Sequence, residues 1–240
     1  MTTALDHPGL DHPELDHPVW TSLTGVHARF AERHGQVLRY RADVAPFLAL
    51  PPEPDERVWD DIAGLVGPGL LAGLSSPAGI DPPAGWEVEF RGAGVQLVGE
   101  GVRAAEDPEA VRLTAADVPE MLELVERAKP GPFRERTIEL GTYLGIRRAG
   151  RLVAMAGERM HPPGWTEISA VCTDAEHRGQ GLATRLVLAV AAGIRARGET
   201  PMMHATEDNT NAIRLYESLG FRLRRRSEFV AVRVPVAEVA

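Results

Sequence analysis

The chain has 240 residues, 44% of them hydrophobic and 25% charged, the proportions of an ordinary globular protein. Its formal net charge of −8 at pH 7 argues against a general binder of nucleic acid or anionic membranes, and leaves room for a cationic or amine-bearing partner. With Cys172 the single cysteine, no signal-peptide pattern, and an apolar run (Leu186 to Ile194) too short to span a bilayer, the expected setting is the cytoplasm, without disulfide or membrane.

In chain order, the first nineteen residues carry LDHPG, LDHPE and LDHPV, a tandem five-residue repeat. Its Asp-His pairs are not read as a metal site, because proline at each step blocks helix and ladder and the segment has no core to bury. Residues 1–17 are therefore expected to be a flexible leader. Trp20, Leu23, Val26, Phe30 and Ala31 recur at helical spacing and predict a helix from 20 to about Gly35. A strand over 37–40, a helix over 57–66, and strands over 70–74, 86–90 and 95–98 follow, with a Pro/Gly-rich loop at 75–83. This half shows no nucleophile–base pair, metal spacing or phosphate loop. His27 and His34 are read as surface or structural. The segment 18–105 is expected to be a smaller α/β lobe, with Gly99 to Pro108 as linker to a second domain over 108–240.

The second half is richer. Val111 to Thr114 predicts a strand, and a helix runs from about Ala115 to Lys129 with Val118, Met121, Leu122 and Val125 on one face, stopped by Pro130-Gly131-Pro132. A hairpin is expected from 142–147 and 151–160 around Arg148-Ala149-Gly150. After the turn at His161 to Gly164 comes TEISAVCTDAEHRGQGLA, residues 166–183: an apolar strand, a Gly-rich turn, then an amphipathic helix to about Arg197. Unpaired N–H groups at that helix start, with the helix dipole behind them and Gly179 and Gly181 leaving the main chain accessible, predict a phosphate cradle. A strand (202–206), a helix (211–219) and two terminal strands (221–226 and 229–234) complete the chain.

The cradle has neither the third glycine of a dinucleotide fingerprint, since Thr184 stands there, nor the Gly-Lys-Ser/Thr of a Walker loop. Its R-x-x-G-x-A pattern (Arg178, Gly181, Ala183) resembles the acyl-CoA pyrophosphate loop of the GNAT acetyltransferase superfamily. A second segment, Asn209 to Phe221, resembles that superfamily's N-x-x-A-x-x-L-Y-x-x-x-G-F, and the element order over residues 110–235 is similar to the GNAT order. The EISAVCT strand most resembles the glycine N-acyltransferase-like branch, whose members have a degenerate GNAT-like N-terminal half. The resemblance implies an α/β (α+β) GNAT fold: a mixed, mostly antiparallel sheet flanked by helices.

It also implies roles. Main-chain groups of Val171, Cys172 and Thr173 would meet the pantetheine arm and thioester. Arg178, Gly179, Gln180, Gly181, Leu182, Ala183 and Thr184 would hold the pyrophosphate, and Asn209 would steady the pantetheine chain. Tyr216 is the expected general acid toward the coenzyme A sulfur. For the base, Glu167 and His204 both stand as candidates, Glu167 on the expectation that partial burial raises its pKa toward neutrality. The Cys172 side chain is read as a small buried strand residue rather than an acyl-enzyme nucleophile. Arg222, Arg224, Arg225 and Arg226 are read as a solvated strand edge, or as a contact to the 3′-phosphate of coenzyme A.

The expected function is acyl transfer, most simply acetyl from acetyl-CoA, to a small amine or amino-acid-like acceptor by direct transfer, in a monomer or homodimer and without a metal. The alternatives are a protein N-terminal or lysine acetyltransferase, and a non-catalytic acyl-CoA sensor.

Overall fold

The computed structural model describes residues 11–76 and 79–236. An eight-stranded sheet organises them, in the order β4-β11-β5-β10-β9-β8-β7-β6. Its strands are β4 (Leu71–Ser76), β5 (Glu87–Val98), β6 (Val111–Arg112), β7 (Tyr143–Arg148), β8 (Arg151–Glu158), β9 (Trp165–Thr173), β10 (Thr200–Thr206) and β11 (Arg222–Arg233). Every neighbouring pair is antiparallel except β9 with β10. A small antiparallel sheet, β1 (Ala31–His34), β2 (Val37–Tyr40) and β3 (Leu48–Ala49), packs with α1 (Pro18–Thr24) and α2 (Val58–Val66) near the β4–β11 end.

The core follows from the amphipathic patterns. Leu186, Val187, Val190, Ala191 and Ile194 form the buried stripe of α4 (Leu182–Ala196), which packs with Tyr216 of α5 (Thr210–Ser218) against Ile168, Met203, Val95 and Leu97 of the sheet. Met121 and Leu124 of α3 (Val118–Ala128) lie against Leu152, Met155, Ala170 and Cys172. The β7–β8 hairpin turns at Ala149 and Gly150, both with positive φ, as a two-residue hairpin turn requires.

Several expectations are corrected here. The helix predicted to Gly35 stops at Thr24, where the side chains of Thr21, Ser22 and Thr24 bond back to helix carbonyls. A turn and a single 3-10 segment, Ala28–Phe30, follow, and the β1–β2 hairpin takes the chain from Ala31, turning at Gly35, whose φ is 51°. The strands over 86–90 and 95–98 are one strand, β5. Its Gly92 and Gly94 are not a turn: a Cβ on Gly94 would strike the Phe229 ring of the neighbouring strand.

The two-lobe division at 105–108 does not hold, because β5 is hydrogen-bonded between β10 and β11. The two expected terminal strands are correspondingly one strand, β11, bulged at Leu223–Arg225 and paired to β5 and β4. The supposed linker is itself seated, with Val102 buried and the Ala105 N–H donated to the Leu188 carbonyl.

Of the leader, residues 1–10 lie outside the described residues, whereas 11–17 are packed rather than flexible. Leu15 is fully buried with Val98, Trp165 and Met202, and the Asp16 carboxylate accepts from Arg224 and Arg225. The repeat unit therefore supplies one apolar anchor and one ion-pair anchor. His27 is structural: it sits 2.8 Å from the Tyr40 hydroxyl and 3.1 Å from the Leu140 carbonyl, and burial lowers its pKa to about 4.

Candidate active site

Strands β9 and β10 pair at only three positions, Trp165–Thr200, Thr166–Pro201 and Glu167–Met202. Beyond these, β9 stays with β8 and β10 with β5, so the two parallel strands part into a wedge. On β9 the register slips between Met155 and Gly157 of β8, and Ala170 takes φ +52°. This bulge reverses the alternation: Ile168 and Val171 pack toward α4, whereas Ala170 and Cys172 pack toward α3. Main-chain groups near Val171 are thereby released from the ladder beside the wedge. At its far end the Thr173 hydroxyl is buried with no partner among the described residues.

The segment from Asp174 to Gly181 leads from β9 into α4, which opens at Gly181 with φ +71° and no side-chain cap. The first main-chain bond back into the helix runs from Arg185 N–H to the Gly181 carbonyl, so the N–H groups of Leu182, Ala183 and Thr184 precede the ladder. Gly179 has φ +75°, and a Cβ at either glycine would meet no atom within 4 Å. The turn is thus open on its outer side, with Arg178 and Gln180 exposed around it. This geometry fits an anionic group such as a pyrophosphate.

Other expected residues fall around this frame. Tyr216 is 7% exposed, its ring edge-on to Phe221, and burial pushes its hydroxyl up to about 12. It therefore holds its proton at neutral pH. Asn209 caps α5, its side-chain oxygen accepting from the Ala212 N–H at 3.3 Å, so part of its bonding capacity serves the helix. The buried Cys172 thiol is pushed up to about 12 by burial, the character of an inert core thiol.

Glu167 departs from its expectation. It is fully buried, and burial alone would raise its pKa. However, its carboxylate accepts from Arg159 at 2.6 and 2.8 Å and from His204 Nδ1 at 2.8 Å, and these partners hold it well below the usual carboxylate range. A carboxylate so held is a poor proton acceptor.

The surrounding network fixes the histidine. Arg224 Nη1 donates to Gln96 Oε1 at 2.8 Å, so Gln96 presents its NH₂ to the Leu15 carbonyl at 2.9 Å and to His204 Nε2 at 3.1 Å. His204 Nε2 is then the acceptor and Nδ1 carries the hydrogen donated to Glu167. Arg159 and Gln96 were not singled out from the sequence, and Arg224 was read only as a member of the arginine cluster. A lone glutamine in the run Val95 to Val98 was the available signal, as was an Arg–Glu pair across the predicted turn at 161–164.

The arginine cluster lies where β11 pairs with β5 alone, β4 reaching only residues 228–233, and Arg222 and Arg226 are solvated as expected, their side chains 59% and 65% exposed. The Arg224 side chain is 5% exposed and shares Asp16 with Arg225, Arg222 pairs with Glu100, and Arg226 with Glu207.

Over His204 lies a cavity of about 250 Å³, walled by residues 15–20, 46–50 and 73–75, by Phe90 and Gln96, by Arg159 and Met160, and by the 225–231 stretch of β11. Of the candidate bases, His204 lines it and Glu167 does not. Among the described residues, no group of three or more His, Cys, Asp or Glu is gathered as for a metal ion, and no helix is long and apolar enough to cross a membrane.

Comparison with known proteins agrees with this geometry. A family model described as FR47-like protein matches residues 143–230. A mycothiol acetyltransferase from Thermobispora bispora is 39% identical over 119 residues, covering 44% of this chain and 38% of that protein. The N-alpha-acetyltransferase RimI of Mycobacterium tuberculosis is 35% identical over 104 residues, 40% of this chain and 65% of that one. The chain thus spans well under half the length of the mycothiol acetyltransferase that it matches. A solved structure named for the GNAT family, from Novosphingobium aromaticivorans, is 40% identical and superposes with a TM-score of 0.85, covering 94% of this chain and all of that one. With a parted strand pair, a bulged central strand and a glycine turn opening the following helix, and with that relative matched along its whole length, the chain belongs to the GNAT family of acetyltransferases.

Proposed function

We propose that the protein transfers an acyl group, acetyl in the simplest case, from acyl-CoA to a small amine. The observation that carries this reading is the coincidence of two features at one place: the β9–β10 wedge and the uncapped start of α4. The pyrophosphate would rest on the N–H groups of residues 179–184 with Arg178 at the rim, and the pantetheine arm would enter the wedge along Val171, Cys172 and Thr173, past Asn209. The orphaned Thr173 hydroxyl supports that path.

In this mechanism the amine nitrogen attacks the thioester carbon, and the carbonyl oxygen gathers charge against main-chain N–H at the β9 bulge. The C–S bond then breaks, Tyr216 gives its proton to the leaving sulfur, and the proton lost by the amine passes to His204 Nε2. The amine replaces Gln96 at that nitrogen. Glu167 is a positioning residue, setting the His204 tautomer and stabilising the imidazolium, as a buried carboxylate does in an Asp–His pair. The small volume of the cavity, about 250 Å³, favours a small acceptor over a protein chain, the reading that similarity to an N-alpha-acetyltransferase would otherwise raise.

Thermal unfolding with acetyl-CoA and with coenzyme A tests the reading. A ligand at a hundredfold its dissociation constant stabilises the native state by about 2.7 kcal/mol, a clear rise in melting temperature. Absence of a rise with both ligands removes the proposal. Gly181→Val should abolish that rise while keeping the far-UV spectrum, because a branched side chain at φ +71° is strained and its Cβ stands in the open side of the turn. Undiminished binding by this variant would displace the pyrophosphate from the turn.

A further inference from the structure

The groups around the cavity do not balance in charge. Arg159 is matched by Glu167, but Arg224 and Arg225 share the single carboxylate of Asp16. Three guanidinium groups therefore face two carboxylates, and His17, which also lines the cavity, has its pKa lowered by burial and stays uncharged at neutral pH. One positive charge is left in excess. Two hydrogen-bond donors are orphaned beside it: the Ser227 hydroxyl, which lines the cavity, and Arg224 Nε, both buried. Unpaired buried donors next to surplus positive charge call for an acceptor that is itself negative.

The rest of the wall is apolar, with Phe47, Leu48, Leu74, Phe90, Phe229 and Val230 among its residues. The cavity of about 250 Å³ falls below the range of about 300–1,000 Å³ of pockets that take drug-sized ligands, which suits a compact acceptor. The strand register sets the span between its two polar ends. Arg225 pairs with Gln96, and Gln96 pairs with His204, so the cation and the imidazole stand two strands apart, on the order of 10 Å between Cα atoms. Both line the same space and flank Gln96.

We propose that the acceptor is an amine bearing a carboxylate and an apolar side chain, a free amino acid of the leucine or phenylalanine kind, with its carboxylate at Arg225 and Ser227 and its amino group at His204. This deepens the acyl-transfer reading and rests on it for the reaction, but not for the binding. A peptide N-terminus presents the same amine and side chain without the adjacent carboxylate, and a simple arylalkylamine lacks it as well.

The test is calorimetric titration of the full chain, with and without saturating coenzyme A, using phenylalanine, phenylalanine amide and phenethylamine. Phenylalanine should bind at least tenfold more tightly than the other two. Arg225→Gln, which leaves Asp16 its Arg224 partner, should remove most of that preference, and Arg225→Lys should keep part of it; melting curves confirm that both variants fold. The proposal is overturned if the amide or phenethylamine binds as well as phenylalanine, if phenylalanine binds in neither condition, or if Arg225→Gln leaves the preference intact. Equal binding of the amide would point to a peptide N-terminus. Failure to bind acetyl-CoA would sink the acyl-transfer reading alone, because amino-acid binding is read without it.

Discussion

Replacing Glu167 with alanine should cost about 3–5 kcal/mol of folding stability, measured by urea unfolding at neutral pH. The variant strands Arg159, whose side chain is 11% exposed and whose ion pair with Glu167 spans 2.6 Å, as an unmatched buried charge. The pH dependence has a definite sign. Glu167 is held below its ordinary value of 4.5, so its contribution is complete above about pH 4.5 and is lost as pH falls further, when the unfolded chain takes up the proton first. The gap between the native protein and the variant should therefore narrow on acidification. A gap under about 1 kcal/mol, far below the range for broken buried pairs, or one that widens toward acid would refute the ion-pair account. Glu167→Gln keeps an acceptor for His204 Nδ1 and should retain more activity than alanine, which separates positioning of the histidine from direct proton transfer.

Tyr216→Phe should lower kcat by about 10²-fold or more, the span typical of a positioned acid or base, and leave the acetyl-CoA-dependent rise in melting temperature unchanged. The ring stays packed against Phe221, so the substitution removes only the hydroxyl and the fold has no reason to respond. Because burial pushes that hydroxyl up to about 12, its loss of proton should not limit the rate below about pH 10. Turnover unaltered at every pH would transfer the acid role to another group or to water.

What the sequence by itself determined is what local rules govern. The strand, glycine turn and helix from Trp165 to Ala196 follow from period-two and helical patterns around Gly179 and Gly181. The same holds for the β7–β8 hairpin and the Asn209-capped α5. Tertiary structure decided the proposed acceptor side. β5 enters the sheet between β10 and β11, which brings Gln96 to His204 across 108 positions of sequence, and Asp16 reaches Arg224 across 208. No local pattern encodes such pairings, because they are chosen by burial and register over the whole sheet. The same limit explains Glu167: its position on the strand was legible, but the sign of its pKa shift was not. Burial raises it and a guanidinium lowers it, and only the folded arrangement shows that Arg159 lies against the carboxylate.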